Sequence, residues 1–357
     1  MSRILVLGGT GNFGARICRA LAGQDGMEVV AAGRRRGAHV RLDTQDPGFA
    51  DGLRRVAPDI VIHCAGPFQG QDYRVARAAI ASGAHYVDLA DGREFVARFP
   101  RGLDTHARAA NVLAVSGAST LPALSSAVVD ALSSRFERME ELQIAIAPGQ
   151  RAPRGAATLA AVFSYCGRRF QWLSGGDWRD AWGWQELTRL RFAGLGARWA
   201  AACDVPDLAL LPARYPTLKT VEFRAALELA IFHFGLWLVA GARRLGLPVP
   251  LERWAAPLDR LATQLDRFGG DHGGMLIRVT GRGRTGEYLR IDWHLTVDAL
   301  HGPEIPCFAA ILLAEKLARG TIAERGAFSC MGLLALSDFE PAFHRWRIRT
   351  STEEVRS

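Results

Sequence analysis

Short apolar runs alternate with amphipathic stretches through the first 120 residues, and the two kinds of segment follow different periods. The short β-rich apolar runs predict strands at 3–7, 28–32, 39–42, 60–63, 85–88 and 112–116. Between them, apolar positions spaced three and four apart predict helices at 12–22, 47–56, 71–82 and 103–110. Strands alternating with helices of that length build a parallel sheet covered on both faces, so residues 1–125 are read as a doubly wound α/β domain.

After about residue 125 the alternation fades and tryptophans gather at 172, 178, 182, 184 and 199. Residues 126–302 are expected to form a second, mixed α/β domain for substrate or dimerisation. It would hold a strand at 142–147, helices within 155–166 and 225–265, and two long strands at 274–280 and 288–297 joined by the glycine-rich turn 281–286. Residues 303–357, with an apolar helix at 306–319, are expected to return to the first domain. The apolar stretch 227–242 has only 16 residues and contains Glu228 and His233, against the roughly 20 apolar residues a span requires. A buried helix or subunit interface is the first reading of it, and a helix resting on a membrane surface the second.

Composition narrows the function classes. Forty-four basic residues face 36 acidic ones, a formal charge of +8, yet the arginines are dispersed and their single tight run is Arg34-Arg35-Arg36. A nucleic-acid binder gathers its positive charge into a stripe or tail, so that class is set aside. Only Lys219 and Lys316 are lysines, which confines any lysine chemistry to two positions. Six cysteines lie at least 23 residues apart, with no metal-ligand spacing among Cys and His, as in a reduced, metal-free cytoplasmic protein. The chain enters its first strand directly, without the apolar core and cleavage site of a signal peptide.

The strongest motif is Gly8-Gly9-Thr10-Gly11-Asn12-Phe13-Gly14, lying between the first strand and first helix. In a Rossmann domain Gly8 permits the turn, Gly11 lets a pyrophosphate approach the helix N-terminus, and Gly14 lets helix and strand pack closely. Thr10, Asn12 and Phe13 join these as cofactor contacts. At the end of the second strand an acid would bind a ribose 2′-hydroxyl and arginine a 2′-phosphate; the sequence places Arg34 and Arg35 there, favouring NADP over NAD. Asp43, past the third strand, is a candidate for the adenine side. After the fourth strand, Ala65, Gly66, Pro67 and Phe68 form a small-residue loop at the edge where α/β sheets bind ligands, and Ser119, after the sixth, is placed to cap a helix or meet the nicotinamide.

Read with Ala84-His85-Tyr86-Val87-Asp88-Leu89, these loops resemble the saccharopine dehydrogenase-like family of NADP-binding oxidoreductases, and the likeness continues through Cys203-Asp-Val-Pro-Asp-Leu208, His301-Gly-Pro303 and 326–333. The resemblance implies a Rossmann domain, a mixed α/β domain inserted before a returning C-terminal segment, NADP-dependent hydride transfer and a homodimer. It does not imply saccharopine as substrate, because the family-like group spans imine, carbonyl and enoyl reductions.

Catalytic residues are not assigned by the sequence. Tyr215 and Lys219 have the spacing of a short-chain dehydrogenase pair, but Pro212 and Pro216 disrupt the helix such a pair needs. Tyr288, Arg290, Asp292 and His294 alternate along one strand and so share a face, read first as the wet face of a sheet and second as the wall of a cleft. The resulting expectation is an NADP(H)-dependent oxidoreductase acting on a small molecule of imine, amino-acid, enoyl or carbonyl type. Its rival is a nonenzymatic NADP-binding or membrane-associated scaffold or sensor.

Overall fold

The computed structural model describes residues 1–34, 37–153, 156–298 and 300–357. The chain divides into two compact units, Met1–Leu124 with Pro303–Leu334, and Ser125–Gly302 with Ala335–Ser357.

Unit 1 begins with β1 (Ser2–Leu7), α1 (Asn12–Leu21), β2 (Met27–Gly33) and β3 (Val40–Arg41). Ile4, Leu5 and Val6 are all fully buried, as expected of a central parallel strand covered on both faces. In α1 the buried residues Gly14, Ile17 and Leu21 recur at helical spacing and turn one stripe inward. Next come α2 (Phe49–Val56), β4 (Ile60–His63), α3 (Arg74–Ala81), β5 (His85–Asp88), α4 (Arg93–Ala109) and β6 (Leu113–Ser116). The sequence reading places a helix only over 103–110. In the structure α4 runs through Pro100 for 17 residues. Proline removes the amide that would bond the carbonyl four residues earlier, and that carbonyl, on Val96, accepts the hydroxyl of Ser329 at 2.9 Å instead.

Unit 2 opens with α5 (Ser125–Ser133) and β7 (Phe136–Ala147), the latter twice as long as the predicted 142–147. After α6 (Ala156–Tyr165), the tryptophan-rich stretch forms β8 (Arg169–Ser174), β9 (Asp177–Trp182), β10 (Thr188–Phe192) and β11 (Gly196–Ala202). None of these four strands is anticipated by the sequence reading. The unit continues through α7 (Asp207–Arg214), β12 (Thr220–Ala225), α8 (Ala230–Arg244), α9 (Ala255–Gln264), β13 (Gly273–Gly283) and β14 (Tyr288–Val297).

The C-terminal segment 303–357 does not return to the first unit as a whole. α10 (Ile305–Ala318) and β15 (Gly326–Ser329) join unit 1, whereas α11 (Leu336–Arg345) and β16 (Arg349–Arg356) join unit 2. α10 lies on α1, tied by the Arg16–Glu304 ion pair at 3.0 Å and by the Gln24 amide donating to Glu315 at 2.7 Å. β15 pairs parallel with β6, completing the order β15-β6-β5-β4-β1-β2-β3. β16 instead finds the open edge of β14, antiparallel, over Leu289–Thr296. The main path of the unit 2 sheet runs β10-β11-β12-β7-β13-β14-β16, with β8 and β9 branching from β12.

Candidate active site

In the first sheet β1 lies between β4 and β2, so successive crossovers run in opposite directions from it. Ligands of open α/β sheets bind outside the carboxyl ends of the strands at such a switch point. The loops leaving β1 and β4 meet there: a Cβ added to Gly8 would lie 3.2 Å from the Ala65 nitrogen.

Gly8 has φ +78°, and its amide donates to the Ala32 carbonyl at 2.8 Å. A Cβ on Gly14 would collide with the Gly8 carbonyl, which closes the loop onto the start of α1. Gly9 is equally constrained, since its Cβ would lie 2.8 Å from that of Ala31; the motif spacing gives it no role, and packing against β2 does. Gly11 caps α1 with extended backbone, without a side-chain cap and without an acid in the first turn. The positive dipole end of α1 therefore has neither a capping side chain nor an acid against it, a setting that favours an anion. Asn12 has its oxygen engaged by the Arg16 guanidinium, while Thr10 and Phe13 are half-buried in the turn.

At the neighbouring edge, Arg34 is exposed at the end of β2, and the Thr10 hydroxyl lies 3.8 Å from where Gly33 would carry a Cβ. Arg35 lies outside the described residues. Asp43 follows β3, and one of its carboxylate oxygens accepts the Gln45 amide at 3.0 Å in a local turn. In the second loop Ala65 and Gly66 are half-buried and Pro67 is exposed after a cis Gly66-Pro67 bond. The Gln71 side chain fixes this loop by donating to the carbonyls of Ala65 and Pro67 at 3.0 and 2.7 Å. Phe68 departs from its expected placement: the residue is buried, its ring edge-on to His63 at 5.0 Å and near Phe95 at 5.5 Å. Ser119 is half-buried, and its carbonyl accepts the Leu124 amide at 3.4 Å.

Beneath these loops is a polar cluster that the sequence reading uses only as part of a family pattern. His63 Nδ1 and the Tyr86 hydroxyl are 3.0 Å apart, and His63 Nε2 is buried without a hydrogen-bond partner. Burial lowers His63 to about 4, so its ring is neutral near pH 7. Asp88, fully buried at the end of β5, accepts at a single oxygen from the Ser116 hydroxyl at 2.9 Å, the Gly117 amide at 2.8 Å and the Ala90 amide at 3.0 Å. Burial still raises it to about 6, and burial together with the Asp88 charge pushes Tyr86 well above its ordinary value. The signal available in the sequence is an acid closing a short buried strand, His85-Tyr86-Val87-Asp88, at its carboxyl end.

The candidates in unit 2 are structural. Asp292 and His294 are buried, not wet: Arg278 binds Asp292 through two hydrogen bonds of 2.8 and 2.7 Å, and His294 Nδ1 accepts the Ala193 amide at 3.3 Å. The turn after β10 covers this stretch, its Ala193 carbonyl taking the Thr296 hydroxyl at 2.9 Å. Tyr288 alone of the row is exposed. The Tyr215 hydroxyl is engaged by Asp130, and the Lys219 ammonium lies 3.9 Å from Glu140, so neither side chain serves the other.

The glycine cradle, the uncapped helix start and the absence of side-chain bulk fit a dinucleotide pyrophosphate. Residues 4–85 match the family model described as the NAD dependent epimerase/dehydratase family. No curated protein sequence matches the chain. Among solved structures, saccharopine dehydrogenase (L-Glu forming) from Saccharomyces cerevisiae superposes with a TM-score of 0.69 at 14% identity, covering 99% of this chain and 100% of that one. DAP dehydrogenase of C. glutamicum, solved with DAP, gives 0.52 at 15% identity over 95% and 98% of the two chains. An engineered D-amino acid dehydrogenase bound to NADP+ gives 0.52 at 18% identity over 95% and 98%. The chain thus has the saccharopine dehydrogenase-like fold, an α/β architecture of a Rossmann-type parallel sheet with a second mixed sheet.

Proposed function

We propose that the protein is an NADP(H)-dependent oxidoreductase that transfers a hydride to or from a small substrate of the imine or amino-acid class. The observation that carries this reading is the glycine cradle at the start of α1, with Arg34 exposed at the end of β2 and no acid at that turn. The backbone at Gly8, Thr10, Gly11, Asn12, Phe13 and Gly14 would hold the pyrophosphate, Arg34 with Arg35 the 2′-phosphate, and Asp43 the adenine side. Ala65, Gly66, Pro67 and Ser119 would line the nicotinamide half. The bound cofactor supplies the hydride chemistry, and the protein supplies binding, orientation and exclusion of water. The imine and amino-acid class is preferred to enoyl or carbonyl substrates because the fold neighbours are named for saccharopine, DAP and D-amino acids.

Titrating the protein with NADPH and NADH tests the cofactor half. NADPH is expected to bind at least tenfold more tightly, and Arg34→Gln to erode that preference while leaving NADH affinity unchanged; equal weakening of both cofactors rejects the assignment of Arg34. NADPH consumption with 2-oxo acids plus amines, compared with aldehydes and enoyl thioesters, tests the substrate half. Turnover confined to enoyl thioesters rejects it.

A further inference from the structure

The outward face of α8 inverts the usual helix pattern. Its buried residues are His233 and Ala240, whereas Ile231 and Leu238 are 69% and 62% exposed and Leu245, just past its end, is 84% exposed. With Gly235 these fall at i, i+4, i+7 and i+14, one stripe along the solvent side. There is no Asp, Glu, Lys or Arg from 229 to 242.

The helix is not free to roll and hide that stripe. Trp184 Nε1 donates to the His233 carbonyl at 3.3 Å, Gln185 to the Trp237 carbonyl at 2.9 Å, and Arg243 to the Phe163 carbonyl at 2.9 Å. Gly167, at φ +68°, sits so close to the Ala240 carbonyl that a Cβ would collide with it. Leu247, Trp254, Leu261 and Phe268 follow in sequence, so seven of the thirteen exposed large apolar residues among those described fall between 231 and 268. Single exposed apolar residues are ordinary; a concentration of this kind marks an interaction surface.

Charge identifies what it meets. Arg244, Arg260 and Arg267 are exposed in this segment, whereas Asp259 and Asp266 are half-buried and Asp266 is engaged by Gln150 at 2.9 Å. The Arg244 and Arg267 guanidiniums lie over the rings of Trp182 and Phe268. A two-fold contact between copies would bring such cationic rims toward each other, whereas lipid phosphates neutralise them. The 15 residues of α8 extend about 22 Å at 1.5 Å per residue, and no helix among the described residues is long and apolar enough to cross a membrane. We propose that this surface of unit 2 docks on an anionic lipid bilayer, with α8 lying in the headgroup plane, Ile231, Leu238 and Leu245 inserted, and the arginines on lipid phosphates.

Sedimentation with vesicles tests this. The full chain is expected to pellet with phosphatidylcholine vesicles containing phosphatidylglycerol, weakly or not at all with phosphatidylcholine alone, and less as salt rises. Ile231→Ser with Leu238→Ser should cut binding at least tenfold while leaving the circular dichroism spectrum and NADPH affinity unchanged; Arg244→Gln should weaken it about fivefold. Failure of the wild-type chain to bind the anionic vesicles overturns the proposal, as does undiminished binding of the double variant. A wild-type dimer that the double variant converts to monomer, with no vesicle binding by either, assigns the face to a second copy and overturns it too.

Discussion

Unit 1 and unit 2 each bury one aspartate completely, and they accommodate it by different means. Asp88 sits where the chain leaving β5 meets the chain leaving β6, and three donors reach one of its oxygens, two of them backbone amides. Asp207, in the first turn of α7, takes the Ser125 hydroxyl on one oxygen, and in both aspartates the second oxygen is buried without a hydrogen-bond partner. Both are pushed up by desolvation, Asp88 to about 6 and Asp207 to about 7. The difference follows the donors: hydrogen bonds to the charged form offset part of the burial penalty, and Asp88 receives more of them. A parallel sheet supplies two backbone amides and a hydroxyl at its carboxyl edge, whereas Asp207 at the start of α7 has a hydroxyl and its own amide.

The largest test of this contrast is removal of each carboxylate. Asp88→Ala strands three buried donors, each costing about 1–3 kcal/mol, so a loss of roughly 5 kcal/mol is expected in urea unfolding, against roughly 2 kcal/mol for Asp207→Ala. Equal losses would mean that donor count does not distinguish the two sites. Next in size is pH dependence. A carboxyl whose folded value lies above its unfolded one binds more protons when folded, so its contribution is present at low pH and lost as pH rises from about 4 through the folded value. The window closes near pH 6 for Asp88 and near pH 7 for Asp207. At about 1.4 kcal/mol per pH unit, Asp207→Asn should relieve about 3 kcal/mol of the decline between pH 4.5 and 8 and Asp88→Asn about 2. Unfolding free energies at pH 4.5 and 8 check this, and a larger relief from Asp88→Asn would reverse the ranking. Smallest are the hydroxyl deletions: Ser125→Ala should cost about 1 kcal/mol or more and Ser116→Ala about half as much, because Asp88 keeps its two amides.

Legibility in the sequence varied along the chain for physical reasons. β1, β4, β5 and the glycine loop were readable because their apolar runs and small residues are dictated locally. α4 starts ten residues before the expected 103–110 and runs through Pro100, and the Val96 carbonyl left without a helical partner is met by Ser329, 233 residues away in sequence. β8 to β11 escaped because their alternation is weak: Trp178 and Trp199 are exposed where a core strand would bury them. The polar row on β14 kept a wet pattern although its partners, Arg278 and the turn at Ala193, enclose it. At the candidate site the cradle was legible, but Gly9 and the His63–Tyr86–Asp88 cluster depend on neighbouring strands that no local window contains.

β15 gives the first sheet a timetable. Its partner β6 ends at Ser116, while β15 begins at Gly326, so 209 residues separate the last inner strand from the edge that completes the sheet. At translation rates of about 5–20 residues per second, a nascent chain carries β6 with an open edge for roughly 10–40 s. During that interval the Val96 carbonyl also awaits Ser329. Unpaired edges recruit other strands, so the half-made chain on the ribosome exposes β6 to such pairing until β15 takes over the edge.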